Sequence, residues 1–223
     1  MSDARGQILS GIRSSLGRGA LDEAALGDIE DRLSRHPRHI VPARVDLDPE
    51  NLVDLFIAKA RAVSATVAAV DTMDELPVAV ASYLAGENLP ARLVQAPALM
   101  DIDWCSAPTL ETRVGAAKES DETSLTTSIA GVAETGTLLL ASSPGTPTTL
   151  NFVPPTHIVV LRRDAIVGSY EDAWDRLRQV YQDGGQPRAA NFITGPSRTG
   201  DIEQKIEIGV HGPLRLHILV VGR

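Results

Sequence analysis

The chain has 223 residues, 43 % of them apolar but only 4 % aromatic, and carries a net charge of −8. That balance, with no basic stripe, argues against nucleic acid as a main partner, because phosphate binding needs clustered Lys and Arg. The single cysteine, Cys105, excludes an internal disulfide and any iron–sulfur or zinc site ligated by cysteines of this chain alone.

The elements follow from hydrophobic period and from start and stop signals. Ser2-Asp3 can cap a first helix, with Ile8, Leu9, Ile12 and Leu16 at helical spacing, and Leu21 to Leu33 reads as a second, highly charged helix. Residues 1–44 are expected to form a helical arm whose narrow apolar stripe suits its own domain or a partner chain, a second copy included. From Asp48-Pro49-Glu50 a third helix is predicted to about Val63, with proline in its first turn. Ala65 to Val70 reads as a strand, Asp74 to Ala85 as a helix and Arg92 to Val94 as a strand. Residues 100–124 carry little pattern. Leu125 to Ala133 and Thr137 to Ala141 read as strands around a tight turn at Glu134-Thr135-Gly136. His157 to Leu161 is a strand, Glu171 to Gln182 a helix, and Asn191 to Thr194 and Leu214 to Val221 the last strands. This alternation predicts a domain over 45–223 built on a mostly parallel sheet with helices on both faces. No apolar run approaches the ~18 residues of a membrane helix. The N-terminal stretch lacks a signal-peptide apolar core, so a cytoplasmic protein is expected.

Two polar turns could carry chemistry. In Glu134-Thr135-Gly136-Thr137, a carboxylate between two apolar strands would be partly desolvated, which suits a general base or a nucleophile. The same turn can equally be a hairpin whose Glu and Thr satisfy nearby backbone groups. In Gly195-Pro196-Ser197-Arg198-Thr199-Gly200-Asp201, successive N–H groups, two hydroxyls and an arginine could cradle a phosphate or carboxylate. Asp201 could instead cap a short segment. The loop has neither the Gly-Lys-Ser/Thr ending of a Walker A sequence nor a Gly-x-Gly-x-x-Gly fingerprint. His211, between Gly209 and Gly212-Pro213, is a candidate acid/base, and Asp201, Glu203 and His211 could converge, but no strong metal-ligand spacing is present. His157 reads as a packed or loop-bonding histidine.

The segments GVAETGTLLL (131–140), NFVPPTHIVVL (151–161), TGPSRTGDIE (194–203) and GVHGPLRLHILVV (209–221), in this order, resemble the lactate-utilisation C proteins, small members of the LUD-domain family. The resemblance implies a Rossmann-like, mostly parallel sheet similar to the sugar-phosphate isomerase and CoA-transferase group. It implies work beside two iron–sulfur partner subunits in oxidising L-lactate to pyruvate, with a chain that binds no cofactor alone but takes a small anionic ligand. It groups the two turns into one site: Glu134 and His211 for proton chemistry, and Thr135, Gly136, Thr137, Gly195, Ser197, Arg198, Thr199, Asp201, Glu203 and Gly212 for binding. Glu134 with Gly136 is also similar to the Glu-x-Gly turn of CoA transferases, an analogy of fold and two residues. The alternatives are a free-standing enzyme acting on a phosphosugar or acyl-CoA, and a non-catalytic scaffold.

Overall fold

The structure, a computed structural model, describes residues 3–17, 19–181, 185–200, 206–222. The chain divides into two compact units, Met1–Ile40 and Val41–Arg223. The smaller unit holds α1 (Ala4–Ser15) and α2 (Glu23–Arg35). Asp22 caps α2 by accepting a bond from the Ala25 N–H at 2.8 Å, and Asp31 pairs with Arg35 one turn on at 2.6 Å.

The larger unit opens with α3 (Pro49–Ala62), β1 (Thr66–Val70), α4 (Leu76–Gly86), β2 (Arg92–Gln95), β3 (Glu111–Val114) and β4 (Thr123–Thr127). Next come β5 (Ala130–Val132), β6 (Thr137–Ala141), the single turn α5 (Thr149–Phe152), β7 (Thr156–Arg162), β8 (Ile166–Val167) and α6 (Tyr170–Val180). The chain closes with β9 (Ala190–Ile193), β10 (Arg198–Gly200), β11 (Ile206–Ile208) and β12 (Arg215–Val221). Six strands form an all-parallel sheet in the order β1-β12-β7-β4-β2-β3. The parallel sheet of the α/β class expected from the sequence is therefore present. A second sheet, β8-β5-β6-β9, is mixed, and β10 and β11 form a small antiparallel pair.

The central strands β7 and β12 are buried on both faces, which is why they read as continuous apolar runs. On one face Val159, Leu161, Ile218 and Val220 meet Val53, Phe56 and Ala60 of α3 and Leu138 and Leu140 of β6. On the other, Ile158, Val160 and Leu219 meet Leu76, Val80 and Leu84 of α4. The second sheet thus lies between the main sheet and α6, whose Ala173 and Leu177 pack on Val132 and Leu139. Helix α3 starts where Asp48 accepts a bond from the Asn51 N–H at 2.9 Å, with Pro49 in its first turn. Helix α6 starts with a capping box between Ser169 and Asp172.

The run Leu125–Ala133, expected as one strand, is two. The break falls at Ser128-Ile129, where the Ser128 N–H donates to the Val160 carbonyl of the main sheet and the Ile129 N–H to the Leu139 carbonyl of the second. An apolar run signals burial but not which sheet buries it. Strand β3, within the pattern-poor stretch, pairs only with β2 at the sheet edge and is largely exposed, so no apolar alternation marks it. Among the described residues no helix is long and apolar enough to cross a membrane.

Candidate functional site

The Glu134 turn closes the β5–β6 hairpin, with the Gly136 N–H donating to the Val132 carbonyl at 2.9 Å. Gly136 has φ 68°, and a Cβ there would lie 2.3 Å from the amide nitrogen of Ala60. Glycine is therefore required by the close approach of α3 backbone as well as by the turn. The Glu134 carboxylate is ion-paired with Arg44, and its side chain is 12 % exposed. Arg44, the last residue of the arm as bounded from the sequence, lies in the larger unit. Beside this pair is a hydroxyl cluster. Thr137 Oγ1 is 2.7 Å from Thr135 Oγ1, 3.1 Å from the Tyr170 hydroxyl and 2.7 Å from Thr194 Oγ1.

The second loop starts at that same Thr194 and docks on the end of the same helix. Gly195 has φ 74°, and a Cβ there would lie 2.3 Å from the Val63 carbonyl oxygen. Arg198 donates to Ser64 Oγ at 2.5 Å, placing a cation at the C-terminal end of α3, where the helix dipole favours it. On its other side the loop is latched to the segment before β12: the Ser197 N–H donates to the Pro213 carbonyl and the Gly209 N–H to the Ser197 carbonyl, both at 2.9 Å. A Cβ on Gly212 would come within 3.2 Å of Ser197 Cβ.

Beside these contacts lies an open cavity of about 290 Å³. Its polar lining comes from Asn151, His157, Thr194, Ser197, Arg198 and His211, and its apolar lining includes Phe152, Phe192 and Leu216. It sits at the amino ends of β7 and β12, because His157 and Leu216 are each the second residue of their strand. In open parallel sheets the crevice at the carboxyl ends is the usual place. Here β9 and the loop after it fold across the opposite end and build the wall there.

His157 is fully buried. One ring nitrogen, Nε2, is 2.7 Å from Thr126 Oγ1, while Nδ1 has no hydrogen-bond partner among the described residues. Burial pushes its pKa down to about 3, so the imidazole is neutral at ordinary pH. His217 is a parallel case on the other face of the sheet. Its Nδ1 is 2.8 Å from Thr66 Oγ1, its ring stacks on Tyr83 at 3.8 Å, and burial lowers its pKa to about 4.

The structure thus brings Gly195, Ser197, Arg198, His211 and Gly212 to one cavity. Glu134, Thr135, Gly136 and Thr137 are not among the described residues lining it; they stand behind it, joined through Thr194. Thr199 lies on β10 and does not line the cavity. Asp201 and Glu203 fall outside the described residues. Among the described residues no group of three His, Cys, Asp or Glu is placed to hold a metal. Sequence reasoning did not select Asn151, His157, Thr194 or Arg44. Asn151 and His157 sit in NFVPPTHIVVL, a segment that carried the resemblance, so that signal was in view. Arg44 has no local signal, since its partner is 90 residues away.

Comparison with known proteins agrees with this architecture. The LUD domain model matches residues 53–221. "Lactate utilization protein C" of Shouchella clausii (strain KSM-K16) is 37 % identical over 90 residues, 40 % of this chain and 39 % of that protein. The protein of the same name in Bacillus subtilis (strain 168) is 36 % identical over 92 residues, 41 % of this chain and 38 % of that one. The matched stretch therefore spans about two fifths of these relatives' own length. A crystal structure of a DUF162 family protein from Deinococcus radiodurans superposes with a TM-score of 0.60 at 23 % identity, covering 79 % of this chain and 99 % of that one, a likeness of fold. With the family match running from α3 to the end of β12, the chain belongs to the LUD domain family.

Proposed function

We propose that this chain is the cluster-free subunit of a bacterial system that oxidises L-lactate to pyruvate, and that it binds a small carboxylate in the cavity at the amino ends of β7 and β12. The names of the relatives support the system, and the single cysteine supports a subunit that carries no cysteine-ligated cluster of its own. The partners are then two iron–sulfur subunits, and the complex is cytoplasmic. The observation that carries the ligand is the lining: Arg198 and several polar residues border about 290 Å³ together with aromatic and aliphatic side chains. That volume is at the small end of ligand pockets.

Each residue then has a task. Arg198 has five N–H donors, one of them engaged by Ser64, and its charge meets the carboxylate. Ser197 and Asn151 supply neutral hydrogen bonds. Phe152, Phe192 and Leu216 face the apolar end of the ligand. His211, on the exposed loop, is the group placed to exchange a proton with it. Glu134 acts at a distance: paired with Arg44, it fixes the turn whose threonines hold Thr194 at the cavity wall.

Reconstitution with the two iron–sulfur subunits tests this reading. Omitting this chain should abolish lactate-dependent electron transfer, and Arg198→Gln should weaken it while complex formation is retained. Full electron transfer without the chain would refute the assignment.

A further inference from the structure

Helix α1 has 12 residues and α2 has 13. Helices of that length are marginal in water unless an amphipathic face is packed against something. Each has such a face: Ile8, Leu9 and Ile12 recur at helical spacing in α1, and Leu26, Ile29 and Leu33 in α2. Neither helix holds a buried residue, and Ile8 and Leu33 are 63 % and 68 % exposed. Both stripes therefore call for a cover.

Charge selects what fits them. Helix α1 holds Arg5 and Arg13 and no acid, whereas α2 holds Glu23, Asp28, Glu30 and Asp31 against Arg32 and Arg35. Arg13 follows Leu9 by one turn, at an edge of the α1 stripe. Glu23 and Glu30 lie one turn before and one turn after Leu26, at an edge of the α2 stripe. At 3.6 residues per turn these two edges fall on the same hand of their stripes, each helix viewed with its N-terminus up. Two helices packed face to face and antiparallel bring edges of the same hand together. An antiparallel contact of α1 on α2 therefore sets Arg13 against Glu23 and Glu30. The same contact of α1 on α1 would set arginine against arginine, and of α2 on α2 glutamate against glutamate.

We propose that this arm joins two copies of the chain, α1 of each packing antiparallel on α2 of the other. Twofold symmetry makes the contact twice, so four helices cover four stripes in a bundle and none is left over. One sequence supplies both the basic and the acidic edge, which is what a self-complementary surface requires.

Sedimentation equilibrium of the full chain tests the proposal. The wild type should have twice the 23.7 kDa mass of one chain. Arg13→Glu makes both edges acidic, and Glu23→Arg combined with Glu30→Arg makes both basic. Each of these variants alone should dimerise at least about tenfold more weakly, since like charges then face each other. Mixed one to one, the two variants should form a heterodimer, because every acidic edge then meets a basic one; that recovery also shows that neither has lost its fold. A monomeric wild type would overturn the proposal, and is the result expected if α1 closed on α2 of its own chain or if the arm served an iron–sulfur subunit instead. A dimer of unchanged strength in both variants, or variants that stay apart when mixed, would overturn it too.

Discussion

Lowering the pH from 7 to 5 should cost the fold about 2 kcal/mol for each of its two buried histidines. His217 is the cleaner test because it lies on the sheet face away from the cavity, bonded to Thr66 and stacked on Tyr83. Burial holds its native pKa near 4, and that of His157 near 3, while an unfolded chain returns each to about 6.5. Because the native value is the lower one, the neutral ring's contribution is fully present above the unfolded pKa and is lost as pH falls towards the native one. Between pH 7 and pH 5 the unfolded state goes from about one quarter to almost fully protonated at each histidine while the native state takes up almost nothing, and integrating that difference gives the figure above by linkage. Carboxylates titrate in the same range, so the measurement is a comparison. Urea unfolding of wild type and His217→Phe at both pH values should show the variant losing about 2 kcal/mol less on acidification. The phenyl ring retains the stack on Tyr83 and removes the unpartnered Nε2. An identical pH dependence in the two proteins would refute the claim that this imidazole is buried in neutral form.

Gly136→Ala and Gly195→Ala should each destabilise by about 2–4 kcal/mol in the same assay, since each combines positive φ with a Cβ 2.3 Å from a backbone atom, of Ala60 in α3 for the first and of Val63 just after it for the second. Arg44→Ala should cost about 1–2 kcal/mol, because it leaves a Glu134 side chain that is only 12 % exposed without its partner; a double-mutant cycle with Glu134→Gln isolates the pair. Thr137→Val should cost about 1–3 kcal/mol by removing the hydroxyl bonded to Thr135, Tyr170 and Thr194, and it should weaken carboxylate binding by loosening the cavity wall, read by calorimetry.

The sequence made the doubly buried strands legible, because β7 and β12 carry near-continuous apolar runs, and it made α3 legible through Asp48, Pro49 and the spacing of Leu52, Leu55, Phe56 and Lys59, although the positions the structure buries are Val53, Phe56 and Ala60. The edge strand β3 stayed hidden, since an exposed strand needs no apolar pattern. Motif reasoning located the Gly195–Arg198 loop and His211 and grouped Gly136 and Gly195 with the binding residues. At both glycines the space a side chain would need is taken by backbone, of α3 for the first and of Val63 just after it for the second. A sequence records that a position tolerates no side chain, not what occupies the space. His157 shows the converse. The expectation of a packed histidine holds for its burial and its bond to Thr126, yet the cavity it borders is built from α5, β9 and the 211–213 segment, which lie far apart in the sequence.

The most direct test of the central claim is a thermal-shift titration of the purified chain with L-lactate, set beside Arg198→Gln. A ligand at a hundred times its dissociation constant adds about 2.7 kcal/mol to the folded state, enough to raise the unfolding midpoint visibly. A rise in the wild type that is lost in Arg198→Gln is the expected result. No rise, or the same rise in the variant, would show that this cavity is not where a carboxylate binds.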